Sequence, residues 1–452
     1  MESAIIVTYL VLFGTLTWLR PVWAVAGVIA LAPLYQVRFA VGPLPMTLLE
    51  CMILVLACVV LVQERALLFQ YLKGIRLKKI SLPVIRMAWC SPQVWVAVSM
   101  IALVVVALIS AFQSPDLHKS LGIWRAYFLE PLVFGAIVLR VIKTERDVRI
   151  TIWAVSTMVV GIAAMTIIQK ITGQYIPGPW IAERRATGIF DYPNAVGLFV
   201  APLIPLMVGL WLHAFKTMGC TWRRAVLIPS LFGVISFAFV AIVLAKTEAA
   251  LVALPISLVV MGLLYSTKTR SIVVRVIILS SIVVAVTPGV QKILQEKLFL
   301  HDWSGQVRII TWHETVAMLH DHVMWGAGLA GYQAAMVPYH TAKFLEIFLY
   351  PHDHWLTVWS EMGLLGVGVW VILSLSLFAL LGETLRHATK YHASGSQNGW
   401  SRILAIALIG TFLEIMVHGL VDVPYFKNDL AVHFWWYVAL ALIVYRATMK
   451  RL

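Results

Sequence analysis

Residues Val94–Ala111 read VWVAVSMIALVVVALISA, eighteen positions with two serines and no charge. A helix at a protein–water boundary would carry polar residues on one face, and a strand of a membrane barrel would alternate apolar with polar. This run does neither, and its length suits the roughly 20 helical residues that cross a bilayer core. Ile272–Val286 is of the same kind. Spanning helices are therefore the expected building unit.

Working outward, apolar segments of spanning length recur near 3–19, 21–37, 45–62, 93–112, 122–142, 149–169, 195–214, 225–245, 248–265, 271–288, 355–381, 402–418 and 430–447, the first two being short. Apolar residues make up 61% of the 452 and charged residues 12%, with a mean hydropathy of +0.89. A water-soluble core does not absorb that much apolar surface. The expected fold is all-α, a polytopic membrane protein of about 12–13 transmembrane helices, organised as a single membrane domain over 1–452. Ala4–Leu19 lacks a basic leading segment and a small-residue cleavage site, so it reads as a retained membrane helix.

A net charge of +14 invites a nucleic-acid reading. Its placement argues otherwise, because the basic residues crowd into short connections: Arg65, Lys73, Arg76, Lys78, Lys79 and Arg86; Arg140, Lys143, Arg146 and Arg149; Lys216, Arg223 and Arg224; Lys268, Arg270 and Arg275; Arg386, Lys390 and Arg402; Arg446, Lys450 and Arg451. That is the positive-inside bias of a membrane protein, and no nucleic-acid partner is expected. The six regions are assigned to the cytoplasm, which turns 112–121, 170–194, 246–247, 289–354 and 419–429 outward. With all segments spanning, the amino terminus lies outside; with one of the first two re-entrant, both ends lie inside. Cys51 and Cys58 sit in an apolar span and Cys90 and Cys220 in basic connections, so no pair is placed for an extracytoplasmic disulfide. The only linker-like stretch is Ala393–Gly399.

The long outward loop 289–354 is the one large hydrophilic insertion. Within it, Gln306–His320 sets Val307, Ile310, Val316, Ala317 and Leu319 among polar residues, the pattern of a helix lying on the membrane surface. The candidate residues share the outward side. Arg184 and Arg185 precede the turn Asp191-Tyr192-Pro193-Asn194, Arg308 opens the surface helix, and Lys246 stands beside Glu248 between two helices. Each has a plain alternative: snorkelling anchors, a solvated face, a topology anchor with a local ion pair. Together they place cations where a diphosphate would be met, since the planar arginine fork suits phosphate oxygens. His352, in Pro351-His352-Asp353-His354, stands at the mouth of a helix, with an imidazole suited to taking a proton from a hydroxyl; a structural histidine is its alternative. Metal binding by His301, Asp302, His320, His322, His340, His352, Asp353 and His354 competes, but no HExxH or tight ligand spacing is present, so no metal is expected. Glu130, Glu361, Glu414 and Asp422 are carboxylates in or near helices that could be read as ion-pathway residues; Glu361, nine positions after His352, is read as structural support or as a partner that backs the site residues without meeting substrate.

Three stretches in order, Arg185-Ala-Thr-Gly-Ile-Phe-Asp-Tyr-Pro-Asn194, then Ser304-Gly-Gln-Val-Arg308 with Trp312 and Gly326-Ala-Gly-Leu329, then Pro351-His-Asp-His-Trp-Leu356 with Glu361-Met-Gly363, resemble the O-antigen ligase/polymerase superfamily. The chain is similar to an O-antigen ligase family protein, the motif-bearing part running over 184–366. The resemblance implies a GT-C-like helical fold in the bacterial inner membrane and a metal-independent, inverting glycosyltransferase without cofactors. Its donor would be an undecaprenyl-diphosphate-linked glycan and its acceptor a hydroxyl of lipid A–core or another glycan, met on the periplasmic face among membrane lipids. It also implies that Arg185 and Arg308 hold the donor diphosphate, with Arg184 and Lys246 as weaker candidates, and that His352 activates the acceptor. The sequence departs from the pattern at Asp353, where asparagine commonly follows the histidine, and at Val323, where proline is usual; the charge of Asp353 is expected to raise the pKa of His352. Ligase, polysaccharide polymerase and protein O-oligosaccharyltransferase share these motifs, and the ligase reading is preferred. A lipid-linked sugar transporter is the rival from another class; it calls for matched broken helices and midplane charges, whereas the charges here sit at helix ends.

Overall fold

The computed structural model describes residues 2–42, 44–74, 91–217, 219, 222–393 and 399–450. Arg76, Lys78, Lys79, Arg86, Cys90, Cys220, Arg451 and most of the Ala393–Gly399 linker lie outside the described residues. The protein is an all-α polytopic membrane protein, and ten of its described helices are long and apolar enough to cross a membrane. In chain order the helices are α1 (Glu2–Leu19), α2 (Pro21–Ala30), α3 (Leu48–Gly74), α4 (Pro92–Ala111), α5 (Leu117–Val141), α6 (Glu145–Thr172), α7 (Asn194–Thr217), α8 (Trp222–Leu244), α9 (Glu248–Tyr265) and α10 (Thr267–Val286). They continue with α11 (Pro288–Leu298), α12 (Trp303–Asp321), α13 (Tyr332–Met336), α14 (His354–Ala393), α15 (Gly399–His418) and α16 (Asn428–Met449).

Every apolar segment read from the sequence contains a helix, with one difference in length. The second segment is not one span: α2 ends at Ala30 and the chain runs through a 3-10 turn, Ala32–Gln36, into an antiparallel hairpin of β1 (Arg38–Val41) and β2 (Leu44–Thr47). Ten helical residues rise about 15 Å, half a bilayer core. Pro33 is the local cause, because it has no N–H to give to the carbonyl of Ile29 four residues earlier. That carbonyl instead accepts from His433 Nε2 on α16 at 2.9 Å.

α5 shows the same device. Pro131 leaves the carbonyl of Tyr127 without its helical donor, the helix widens to a π-turn over Arg125–Leu129, and the Tyr425 hydroxyl donates to Tyr127 O at 2.7 Å. Where a proline frees a carbonyl inside a membrane, a neighbouring side chain has to supply the missing hydrogen bond. Here both donors come from the last helix and the turn before it. α16 is buried almost all round and packs Trp435, Trp436 and Tyr437 at the centre of the bundle.

The loops read as outward meet at one end. Ala186 N donates to Leu244 O, Leu329 N to Ser110 O and His354 N to Gly419 O, joining the connections after α6, α12 and α13 to the ends of α8, α4 and α15. The insertion 289–354 folds into α11, α12 and α13 and closes on α14. α12 buries Gly305, Thr311, Glu314, Thr315, Met318 and Leu319, whereas Val316, assigned to the apolar face by the sequence pattern, is exposed. The polar side chains turn inward because they find partners: Thr315 bonds Tyr332 Oη, and Glu314 accepts from Thr341 N, Thr341 Oγ1 and Ala342 N and pairs with His340 Nδ1. Burial pushes the Glu314 pKa up, but the donors from Ala342, His340 and Thr341 outweigh it and bring it down to about 2. Its stabilising effect is therefore complete above the ordinary value of 4.5 and lost as pH falls from there towards 2. Backbone amides of Thr341 and Ala342 are expected to exchange with solvent faster at pH 3 than at pH 6 after correction for intrinsic rates, and Glu314→Gln should show the faster exchange at both.

The Gly326-Ala-Gly-Leu329 and Glu361-Met-Gly363 motifs are two halves of one clamp. α14 is kinked at Gly363, whose φ is +66° and ψ −172°. The loop at Gly326 lies across the break: Ala327 N donates to Ser360 O, and Leu364 N to Met324 O. A Cβ on Gly363 would stand 2.1 Å from Met324 O, and one on Gly326 2.4 Å from Ser360 O. Glu361 completes the clamp by accepting from Ala330 N, and its own carbonyl accepts from Ser110 Oγ. Gly363→Ala is expected to cost about 3 kcal/mol through the positive φ and the clash, read as a lower melting midpoint in detergent.

Candidate functional site

The turn that follows α15, residues 419–422, carries the site. It leaves a helix that ends at His418 and offers carbonyls and one carboxylate to three distant parts of the chain. His354 N donates to Gly419 O at 2.8 Å. Arg308 Nε donates to Val421 O at 3.0 Å. Asp422 accepts from Asn194 Nδ2 at 3.0 Å, and its other oxygen stands 3.8 Å from His352 Nδ1. Asp422 was read from the sequence only as one carboxylate among four near helices; the structure makes it the residue that joins the outer loops.

Arg185 is positioned by the loop between α6 and α7. Gln169, buried in the last turns of α6, accepts from Thr187 N at 2.9 Å and Gly188 N at 2.8 Å and donates to Tyr175 O and Gly188 O. One glutamine side chain thus fixes the Ala186-Thr187-Gly188 backbone. The Arg185 guanidinium then lies over the Trp180 ring at 5.2 Å and donates from Nε to Ala245 O and from Nη2 to Lys246 O and to Asn194 Oδ1, the last at 3.1 Å. Burial pushes its pKa down, Glu183 and Glu248 push back, and the charge of Arg308 lowers it again, so the two guanidiniums act on one another.

Arg308 sits near the start of α12 and donates from Nη1 to Ser304 O and, at 2.7 Å, to Ser304 Oγ. Among the described residues, Nη1 of Arg185 and Nη2 of Arg308 make no hydrogen bond to protein. Each guanidinium is held by part of its fork and keeps one NH₂ group for a ligand, the arrangement that binds an anion with fixed geometry.

His352 has φ +54°, a left-handed conformation that a β-carbon disfavours. The surroundings hold it there. Trp312 Nε1 donates to Pro351 O at 2.9 Å, the ring of Phe348 meets the imidazole edge-on at 5.1 Å, and Asp422 faces Nδ1. The His352 side chain is 36% exposed, so its ring can meet a substrate. His354 is only 3% exposed and packs 4.7 Å from the ring of Trp370, which marks it as a core residue. Asp353 does not pair with the His352 ring: its Oδ1 accepts from Leu356 N at 2.7 Å and caps α14. The charge that the sequence assigned to Asp353 comes instead from Asp422. Burial raises the Asp422 pKa, yet the contact with His352 and the charges of His352 and His418 bring it down from 3.8 to about 2. The carboxylate is therefore ionised throughout the neutral range.

The remaining candidates lie around this centre. Arg184 is exposed with φ +47°. Lys246 is exposed, and its contribution on Arg185 is its backbone carbonyl; the nearby Glu248 is paired with Lys297 at 2.6 Å. Glu361 belongs to the clamp on α14. The loop histidines are engaged separately, His340 with Glu314 and His352 with Asp422, and among the described residues no three His, Cys, Asp or Glu side chains gather as metal ligands. One cation escaped the sequence reading: Lys427, whose Nζ lies 4.4 Å from the Phe190 ring and 4.9 Å from the Tyr35 ring and 3.4 Å from Asp429. It pins the far end of the Arg185-bearing loop to the start of α16. A cavity of about 650 Å³ lies apart from all of these, between α4 and α14, beside Trp95, Ser376 and Arg386.

Chemically, Arg185, Asn194, Asp422 and His352 form one chain, and Arg308 is attached to it through Val421. Arg185 and Arg308 each keep donors to spare, and His352 is an imidazole backed by a carboxylate. Residues 232–371 match the family model described as O-antigen ligase. This segment includes Lys246, Arg308, His352 and the α14 clamp, while Arg185 lies before it and Asp422 after it. No curated protein matches the chain significantly.

Proposed function

We propose that this chain, whose residues 232–371 match the O-antigen ligase family of glycosyltransferase-like ligases and polymerases, transfers a glycan from an undecaprenyl-diphosphate carrier to an acceptor hydroxyl at the periplasmic face of the inner membrane. The preferred acceptor is lipid A–core, which makes the protein a ligase. The observation that carries this reading is the contact chain Arg185–Asn194–Asp422–His352 with Arg308 alongside.

The reaction follows from those positions. The donor diphosphate binds the free NH₂ groups of Arg185 and Arg308. The acceptor oxygen attacks the anomeric carbon from the opposite face, the bond between that carbon and the diphosphate oxygen breaks, and undecaprenyl diphosphate leaves with the electron pair. The hydroxyl proton passes to His352 Nε2, since Nδ1 is directed at Asp422. Asp422 stabilises the imidazolium that forms, and the guanidiniums stabilise the charge that grows on the leaving group. Inversion at the anomeric carbon is the stereochemical consequence. The charge bias of the connections supports the periplasmic assignment, because the site lies at the end opposite the basic ones.

The test uses a deletion strain carrying wild type or His352→Ala, with surface glycans resolved on gels and lipid-linked intermediates extracted in parallel. For a ligase, full-length polymer accumulates on undecaprenyl diphosphate while the surface acceptor stays bare. Single repeat units on the carrier would instead identify a polymerase. Unchanged glycans with His352→Ala, when deletion abolishes them, would overturn the catalytic role.

A further inference from the structure

The mechanism above leaves one buried acid–base pair without a task. Glu414 and His418 stand one turn apart in the last part of α15, with Oε1 and Nδ1 2.9 Å apart and side chains 0% and 1% exposed. The other carboxylate oxygen of Glu414 has no hydrogen-bond partner among the described residues. A buried ion pair is a poor way to hold a helix, because desolvating two charges commonly offsets their attraction and an apolar pair of the same volume packs as well. Its location suggests another use. His418 O accepts from Val421 N at 3.2 Å, so His418 opens the turn on which Val421 holds Arg308 and Asp422 faces His352.

Resting on the transferase reading, we propose that His418, held by Glu414, is a positioning residue of the transfer site that keeps the Asp422 carboxylate directed at His352. Glu414 accepts from Nδ1–H and so fixes the ring. The ring, at the carboxyl end of α15, then lies next to a turn whose one charged residue before Lys427 is Asp422. The groups acting on Asp422 are His418 from its own segment, His352 from the turn before α14, Asn194 from α7 and, at longer range, Lys427 before α16. Without His418, Asp422 keeps Asn194 and Val423 as partners, but its turn loses the Glu414-anchored ring at the helix end from which it departs.

The experiment is single-turnover transfer in proteoliposomes with a purified lipid-diphosphate-linked glycan, comparing wild type, His418→Gln, Asp422→Asn and the double variant. His418→Gln is expected to slow transfer at saturating donor about tenfold, to leave the donor KM within about twofold, and to cost nothing further in the Asp422→Asn background, the signature of coupled residues. Glu414→Gln, which still offers an acceptor to Nδ1–H, should fall between wild type and His418→Gln; it also serves as the reporter should His418→Gln fail to fold. Full activity of both variants, or equal losses with and without Asp422, would overturn the positioning role. If Asp422→Asn and His352→Asn themselves transfer normally, the transferase reading falls instead, so the two failures are distinguishable.

Discussion

His352→Asn is expected to lower the rate of glycan transfer by about 10²–10⁴-fold, the range that a positioned general base contributes, while leaving donor binding intact. Asparagine is the informative replacement because position 352 has φ +54°, a conformation that asparagine tolerates better than most residues with a β-carbon. The turn therefore survives, with Trp312 still bonded to Pro351 O and His354 N to Gly419 O. Alanine would mix the loss of the base with added backbone strain. Transfer by the purified variant should be measured beside its elution profile and melting midpoint. A rate within about fivefold of wild type would remove the imidazole from the chemistry.

Replacing Arg308 by methionine is expected to reduce kcat/KM by about 10²–10³-fold, as loss of a preorganised charge at a developing anion does. Arg308→Lys should recover only a small part of this. A lysine ammonium can bond Val421 O or Ser304, or it can meet the diphosphate, whereas the guanidinium does both from separate nitrogens. Arg185→Met should be similarly severe and carries an extra consequence, since it also releases Asn194 Oδ1 and thereby loosens Asp422. Losses at Arg185 and Asp422 should therefore fail to add, whereas losses at Arg308 and Glu361 should add. Full activity of Arg308→Lys would show that only a point charge is needed there.

The spans were legible because uniform apolarity over eighteen or more residues has one structural solution in a membrane. The segment 21–37, left open between spanning and re-entrant, is instructive: composition alone cannot show that Pro33 ends α2 early, because the compensating donor, His433, lies some four hundred residues away in the chain. The motif residues Arg185, Arg308 and His352 were visible through their loop positions and their resemblance to a family. What joins them was not. Gln169 looks like an ordinary polar residue on a long helix, Asp422 like a carboxylate after another, and Lys427 like a helix-start anchor; their roles come from contacts between segments that no local periodicity encodes. The Gly326 and Gly363 motifs, read with the catalytic set, turn out to hold a kink.

Equilibrium binding of an undecaprenyl-diphosphate-linked glycan to the protein in nanodiscs, followed by transfer on addition of acceptor, separates the two ends of the site in one preparation. Wild type should bind and transfer, His352→Asn and Asp422→Asn should bind but transfer far more slowly, and Arg185→Met/Arg308→Met should lose binding itself. Donor binding that is lost in His352→Asn, or retained in the double arginine variant, would contradict the assignment of diphosphate to the arginines and of the acceptor proton to the histidine.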